Sequence, residues 1–142
     1  MIKTEAELST LVADIINDYQ HGHASQVEAH VSAAGIPDLN VCVDGLDSNI
    51  ELKNCTKSYC PHVRASQYRW MKKRKAVRGK VCYMCHIPHD EGVRGFIYVV
   101  TGVDDLELQG RVTPEVWKKK AFTRWEVNEY LAGKLLNFLK QY

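Results

Sequence analysis

The sequence predicts an α/β domain, a central mixed β-sheet flanked by α-helices. Stretches of alternating apolar and polar residues take turns along the chain with stretches whose apolar residues recur every three or four positions. The chain has 142 residues, the size of one domain. It shows no internal repeat, low-complexity tract or composition break, so residues 1–142 read as a single unit.

Thr4 and Glu7 have the S/T-x-x-E form of a capping box, and Leu8, Leu11, Val12, Ile15, Ile16 and Tyr19 follow at helical spacing. A helix over 5–19 is expected. Gly22, between His21 and His23, predicts a break over 20–24, and an extended segment over 25–32 follows, with Val27, Ala29 and Val31 alternating with Glu28 and His30. Gly35 and Pro37 precede an alternating strand over 39–43, and Asp44-Gly45 turns the chain into Asn49-Ile50-Glu51-Leu52-Lys53, a hairpin. Residues 54–62 form a polar connection. Gln67, Trp70, Met71, Arg74 and Val77 then mark a basic helix over 65–78, with Gly79 as its stop and Trp70 and Met71 as core residues. Strands are expected over 81–87 and 96–100, separated by a loop, and helices over 114–120 and 123–141; 102–110 fits no period.

Composition narrows the class. With 45% hydrophobic and 25% charged residues, a packed core is expected, which excludes wholesale disorder, collagen-like repeats and a scaffold held by disulfides alone. The apolar runs are too short to span a bilayer, and the N-terminus has neither the basic start nor the apolar run of a secretory signal, so a cytoplasmic location and no membrane partner are expected. A net charge of +2 names no partner, but its distribution does: no Asp or Glu lies between Lys53 and Asp90, where Arg64, Arg69, Lys72, Lys73, Arg74 and Lys75 cluster. Those six form a phosphate-binding footprint if the surface beside them is a site, and a solvated helix face if not.

Within the hairpin, alternation puts Glu51 and Lys53 on one face of their strand and Ile50 and Leu52 on the other. The turn brings Asp38 back beside them. Two carboxylates beside an ammonium suit Mg²⁺, which takes one or two protein carboxylates and keeps waters for a phosphate substrate, and Lys53 is placed to orient the attacking water. Taken singly, Pro37-Asp38 is also ordinary turn chemistry, and Glu51 and Lys53 also fit the solvated face of an edge strand.

In the order Gly35-Ile36-Pro37-Asp38, Ile50-Glu51-Leu52-Lys53, Ser66-Gln67 with Trp70, then Gly79 leading into a strand, the chain resembles the PD-(D/E)XK nuclease superfamily, and more narrowly the small phage nucleases related to VRR-NUC domains. The resemblance implies a restriction-endonuclease-like core and a Mg²⁺- or Mn²⁺-dependent DNA endonuclease leaving a 5′-phosphate. It also implies Asp38 and Glu51 as metal ligands, the Leu52 carbonyl as a further one, and Gln67 on the helix beside the catalytic groups. A third acidic ligand precedes the Pro-Asp motif in that family. Glu28 and Glu7 compete for the place, and Glu28 is preferred because Glu7 suits the capping box. Several stand-alone members look like Holliday-junction resolvases, so branched DNA and a twofold homodimer are expected, with Leu131, Leu135, Phe138 and Leu139 offering either a dimer interface or the closure of the core.

The five cysteines are odd in number, and a full disulfide framework is not expected. Cys55, Cys60, His62, Cys82, Cys85, His86 and His89 raise a rival, a non-catalytic nucleic-acid-binding module stabilised by zinc, in which Asp38, Glu51 and Lys53 are only surface charges. Cys82-x-x-Cys85 has zinc spacing, but in a strand the two face opposite sides. The preferred reading has Cys42 and Cys82 buried as small hydrophobes and the other thiols reduced.

Overall fold

The chain begins its first helix where the capping signal stands. The Thr4 Oγ1 accepts the Glu7 N–H at 3.1 Å and the Glu7 Oε2 accepts the Lys3 N–H at 2.6 Å, and α1 runs Glu5–Asp18 with Leu8, Val12, Ala13 and Ile16 buried. A computed structural model describes residues 2–28, 34–89, 94–110 and 112–142. Among the described residues six strands follow: β1 (Gly22–Gln26), β2 (Leu39–Val43), β3 (Leu46–Asn54), β4 (Val81–Ile87), β5 (Phe96–Val100) and β6 (Thr123–Glu126). They form one sheet in chain order. All neighbours are antiparallel except β3 and β4, which are parallel and therefore need a crossover. The helix α2 (Ala65–Ala76) supplies it, and α3 (Pro114–Lys120) and α4 (Leu131–Gln141) complete the fold. The α/β class with a mixed, helix-flanked sheet is as expected.

Strand alternation divides the core in two. Leu39, Val41, Ile50, Leu52, Cys82, Met84, Ile97 and Val99 pack with α1 and α4, while Val81, Tyr83, Cys85, Ile87, Tyr98 and Val100 pack with α2 and α3. Cys82 and Cys85 thus lie on opposite faces, as strand geometry requires. Leu131, Leu135 and Leu139 sit in the first core, so α4 closes this chain's own interior. None of the helices among the described residues is long and apolar enough to cross a membrane.

The hairpin behaves as its turn chemistry dictates. Asp44 and Gly45 both have positive φ (50° and 80°), the pattern of a two-residue turn that matches strand twist, and the register sets Leu39 opposite Ile50.

Four expectations need correction. The break expected over 20–24 is a turn only as far as His21, and β1 already begins at Gly22: a Cβ on Gly22 would lie 2.3 Å from the Ile16 carbonyl oxygen, so only glycine lets the chain reverse this tightly off α1. The Asn17 side chain then pairs with both backbone groups of Ala24, which explains a strand of so polar a sequence. β1 ends at Gln26, and residues 29–32, the rest of the expected extended segment, lie outside the described residues. The helix expected over 123–141 is a strand and a helix. β6 covers the edge of β5 and sends Trp125 into the core, and Asn128 turns the chain, its side chain accepting the Tyr130 N–H at 2.9 Å. Finally, Cys55 and Cys60 are joined in a disulfide rather than reduced, and Cys42 is only half-buried.

Candidate metal-binding active site

β2 pairs with β3 only as far as Leu39 opposite Ile50, so beyond that point the β3 edge toward β2 lacks a backbone partner. Asp38 fills the gap: its Oδ2 accepts the Leu52 N–H at 2.8 Å. In an extended strand a residue's N–H and C=O share an edge, which turns the Leu52 carbonyl to the Asp38 side as well. Glu51, next along β3, points to the α2 side, where its Oε2 accepts the Gln67 Nε2–H at 2.7 Å and lies 3.3 Å from the Lys53 Nζ. The Lys53 Nζ also donates to the Gln67 Oε1 at 2.9 Å, and that oxygen accepts the Arg64 N–H. Gln67 therefore fixes both charged groups against the first turn of α2.

Glu51 and Lys53 are only 1% and 4% exposed, because β3 is a central strand. Neither the solvated-edge reading nor the rival in which these are surface charges fits that burial.

The third carboxylate is Glu5. One ligand atom from each of Glu5, Asp38 and Glu51 lies within 4.8 Å of the others. Glu28, the preferred candidate from sequence, is exposed beyond the end of β1 and does not join this cluster; Glu7 is taken by the cap. Sequence did carry a signal for Glu5. It lies three residues before Leu8, and Leu8, Val12 and Ile16 form the core-facing stripe of α1, so Glu5 heads that same stripe.

The site grades from buried Glu51 through half-buried Asp38 to exposed Glu5, and it opens beside a groove lined by Glu5, Ser9, Gln26 and Asp38. Burial, reinforced by the neighbouring Asp38 charge and opposed by Lys53, pushes the Glu51 carboxyl up to about 8. Burial also raises Asp38, against the Leu52 N–H and Lys53, which hold it down. Glu5 is raised by burial and by Asp38, and lowered by Lys53 and Arg64. Three carboxylates face the Lys53 ammonium, with the Arg64 guanidinium acting on Glu5, and leave a formal excess of negative charge. An all-oxygen donor set with that deficit fits a hard divalent cation such as Mg²⁺ or Mn²⁺.

Gly35 sets the approach of the Asp38 loop to α2. Its φ is +93°, and a Cβ there would lie 2.2 Å from the Ser66 carbonyl oxygen. Gly35→Ala is expected to lower unfolding stability in urea by about 2–4 kcal/mol, through left-handed strain and displacement of the turn that carries Gln67.

The six basic residues surround the same helix. Arg64 precedes it, and Arg69, Lys72, Lys73, Arg74 and Lys75 are exposed along it. Arg74 stacks on Trp70 at 4.5 Å and Lys75 pairs with Asp104 at 2.9 Å, which holds two of the cations in place. Met71 is fully buried and Trp70 partly so, both packed in the second core.

No family model and no curated protein matches the chain. The class of site is therefore defined by its own geometry: a carboxylate cluster beside a buried lysine, on a sheet whose next helix is basic.

Proposed function

We propose that this protein is a Mg²⁺- or Mn²⁺-dependent DNA endonuclease of PD-(D/E)XK type, acting in the cytoplasm on branched DNA in the manner of a Holliday-junction resolvase. The observation that carries the reading is the gathering of Glu5, Asp38 and Glu51 within 4.8 Å, with Lys53 and Gln67 bonded to Glu51.

Glu5, Asp38, Glu51 and the Leu52 carbonyl are the groups that would hold the ion. When bound, the ion polarises a phosphate oxygen and acidifies water. The Lys53 ammonium, held by Gln67, orients the attacking water and offsets charge developing on the phosphate. Water adds to phosphorus, the P–O3′ bond breaks, and the 3′-oxygen leaves with a proton, giving a 5′-phosphate. The basic residues of α2 and Arg64 offset the repulsion between an acidic centre and the DNA backbone.

Branched DNA is favoured because the described residues form one sheet-centred unit, which is better suited to reading shape and backbone than base edges. Two coordinated cuts at a four-way junction call for a twofold homodimer. The buried leucines of α4 are not its interface.

Labelled four-way junction, flap, single-stranded and linear duplex DNA, each incubated with and without Mg²⁺, test this reading. Cutting that requires Mg²⁺, favours the junction and is lost in Lys53→Ala is expected. DNA binding with no metal-dependent cutting of any substrate overturns it.

A further inference from the structure

A second cluster lies on the far side of Lys53 and takes no part in the proposed hydrolysis. Cys55 follows β3 directly, Cys60 lies in the loop that leads toward α2, and Cys85 sits in β4 opposite Lys53. All three are buried, their sulfurs lie within 4.8 Å of one another, and the Cys55 and Cys85 sulfurs are 3.5 Å apart. Cys55 and Cys60 form a disulfide while Cys85 is free.

A disulfide needs two sulfurs, and the fold brings a third to the same point from a different segment. Soft thiolates clustered in this way match a thiophilic d¹⁰ cation, and Cys-x₄-Cys with one distant cysteine falls within the spacing of structural zinc sites. The carboxylate cluster is all oxygen and the cysteine cluster all sulfur, so the two select different ions.

We propose that the reduced protein holds one structural Zn²⁺ on Cys55, Cys60 and Cys85. Reduction of the Cys55–Cys60 bond by a cellular dithiol, itself oxidised to a disulfide, gives two thiols. Those two and the Cys85 thiol bind the ion as thiolates, and their three protons pass to solvent. Three thiolates would supply three of the four zinc ligands, and a water would supply the fourth.

The ion ties the 55–60 loop to β4. That loop is otherwise held by Cys55 N–H to the His86 carbonyl, a Thr56–Tyr59 turn and Val63 N–H to the Leu108 carbonyl. Because the loop delivers the chain to α2, zinc steadies the helix turn that presents Gln67 to Lys53 and Glu51. The inference does not depend on the nuclease reading.

The test is made on protein prepared under a phosphine reductant without oxygen, by metal analysis and Co²⁺ substitution. One zinc per chain is expected, and its replacement by Co²⁺ should give the near-ultraviolet thiolate-to-cobalt band, which carboxylates cannot produce. Cys60→Ser and Cys85→Ser should each weaken binding on the order of 100-fold or more, and Cys42→Ser should leave it unchanged. Cys85 is buried; if its variant does not fold, the loop variant Cys60→Ser and the wild-type cobalt spectrum decide. Fully reduced protein that binds neither ion, a cobalt complex without the thiolate band, or Cys60→Ser binding as tightly as wild type overturns the proposal.

Discussion

Glu51→Gln protein is expected to fold and to lose Mg²⁺-dependent DNA cleavage by on the order of 10³-fold or more. Glutamine preserves the shape of the side chain and an acceptor for Gln67 and Lys53, so the change removes charge with little else. That charge is the most buried of the three carboxylates and the one bonded to both Lys53 and Gln67. Glu5→Gln should reduce cleavage by at least about 10-fold. Glu28→Gln, outside the cluster, should leave it within about twofold of wild type. Kinetics on one cleavable substrate at saturating Mg²⁺ separate these outcomes, and a Glu28 variant that fails where the Glu5 variant survives would reverse the assignment of the third ligand.

The metal-free protein should lose stability as pH rises from 6.5 to 8, an uncommon direction for that range. Glu51 titrates near 4.5 when unfolded and is raised to about 8 in the fold, so between those values the folded state binds more protons and stability falls with pH. Asp38 and Glu5, also raised, act in the same direction. His86 acts oppositely: burial lowers it from 6.5 to about 4, so its contribution is present above 6.5 and is lost as pH falls toward 4. Most of the His86 effect therefore lies below 6.5, and the carboxylates dominate the interval from 6.5 to 8. One proton across it is worth at most about 2 kcal/mol, or about 5 °C in Tm for a domain of this size. Thermal unfolding in chelator should show this fall. Mg²⁺ or Mn²⁺ should offset it, most of all at pH 8, and Glu51→Gln should flatten it. A Tm that stays level or rises in wild type contradicts the account.

Local chemistry made much of this legible in advance. Thr4-x-x-Glu7, the Asp44-Gly45 turn and the alternation of Ile50 to Lys53 each act over a few residues, and each yields the structure its physics requires. Asp38 falls beside Glu51 and Lys53 because a two-residue hairpin leaves little freedom of register. Sequence favours Glu28 as the third acid because Glu7 suits the cap, whereas the carboxylate that joins the cluster arrives from the first turn of α1. Glu5 was recoverable by extending the buried stripe of Leu8, Val12 and Ile16 one step toward the N-terminus. Helical spacing holds for Leu131, Leu135 and Leu139 but not for residues 123–126, and pairing with the edge of β5 explains why Thr123 to Glu126 are extended. The three-sulfur cluster lay beyond sequence. Cys82-x-x-Cys85 draws the eye, but Cys85 meets Cys55 and Cys60 only through the parallel pairing of β3 with β4.

Mn²⁺ binding measured by calorimetry at pH 8, on wild type and on Glu5→Gln, Asp38→Asn, Glu51→Gln and Glu28→Gln, puts the carboxylate centre to the most direct trial. One ion per chain is expected in wild type and in the Glu28 variant, with affinity reduced at least about 10-fold in each of the other three. Equal affinity in all five proteins, or loss confined to Glu28→Gln, would mean that Glu5, Asp38 and Glu51 do not share an ion.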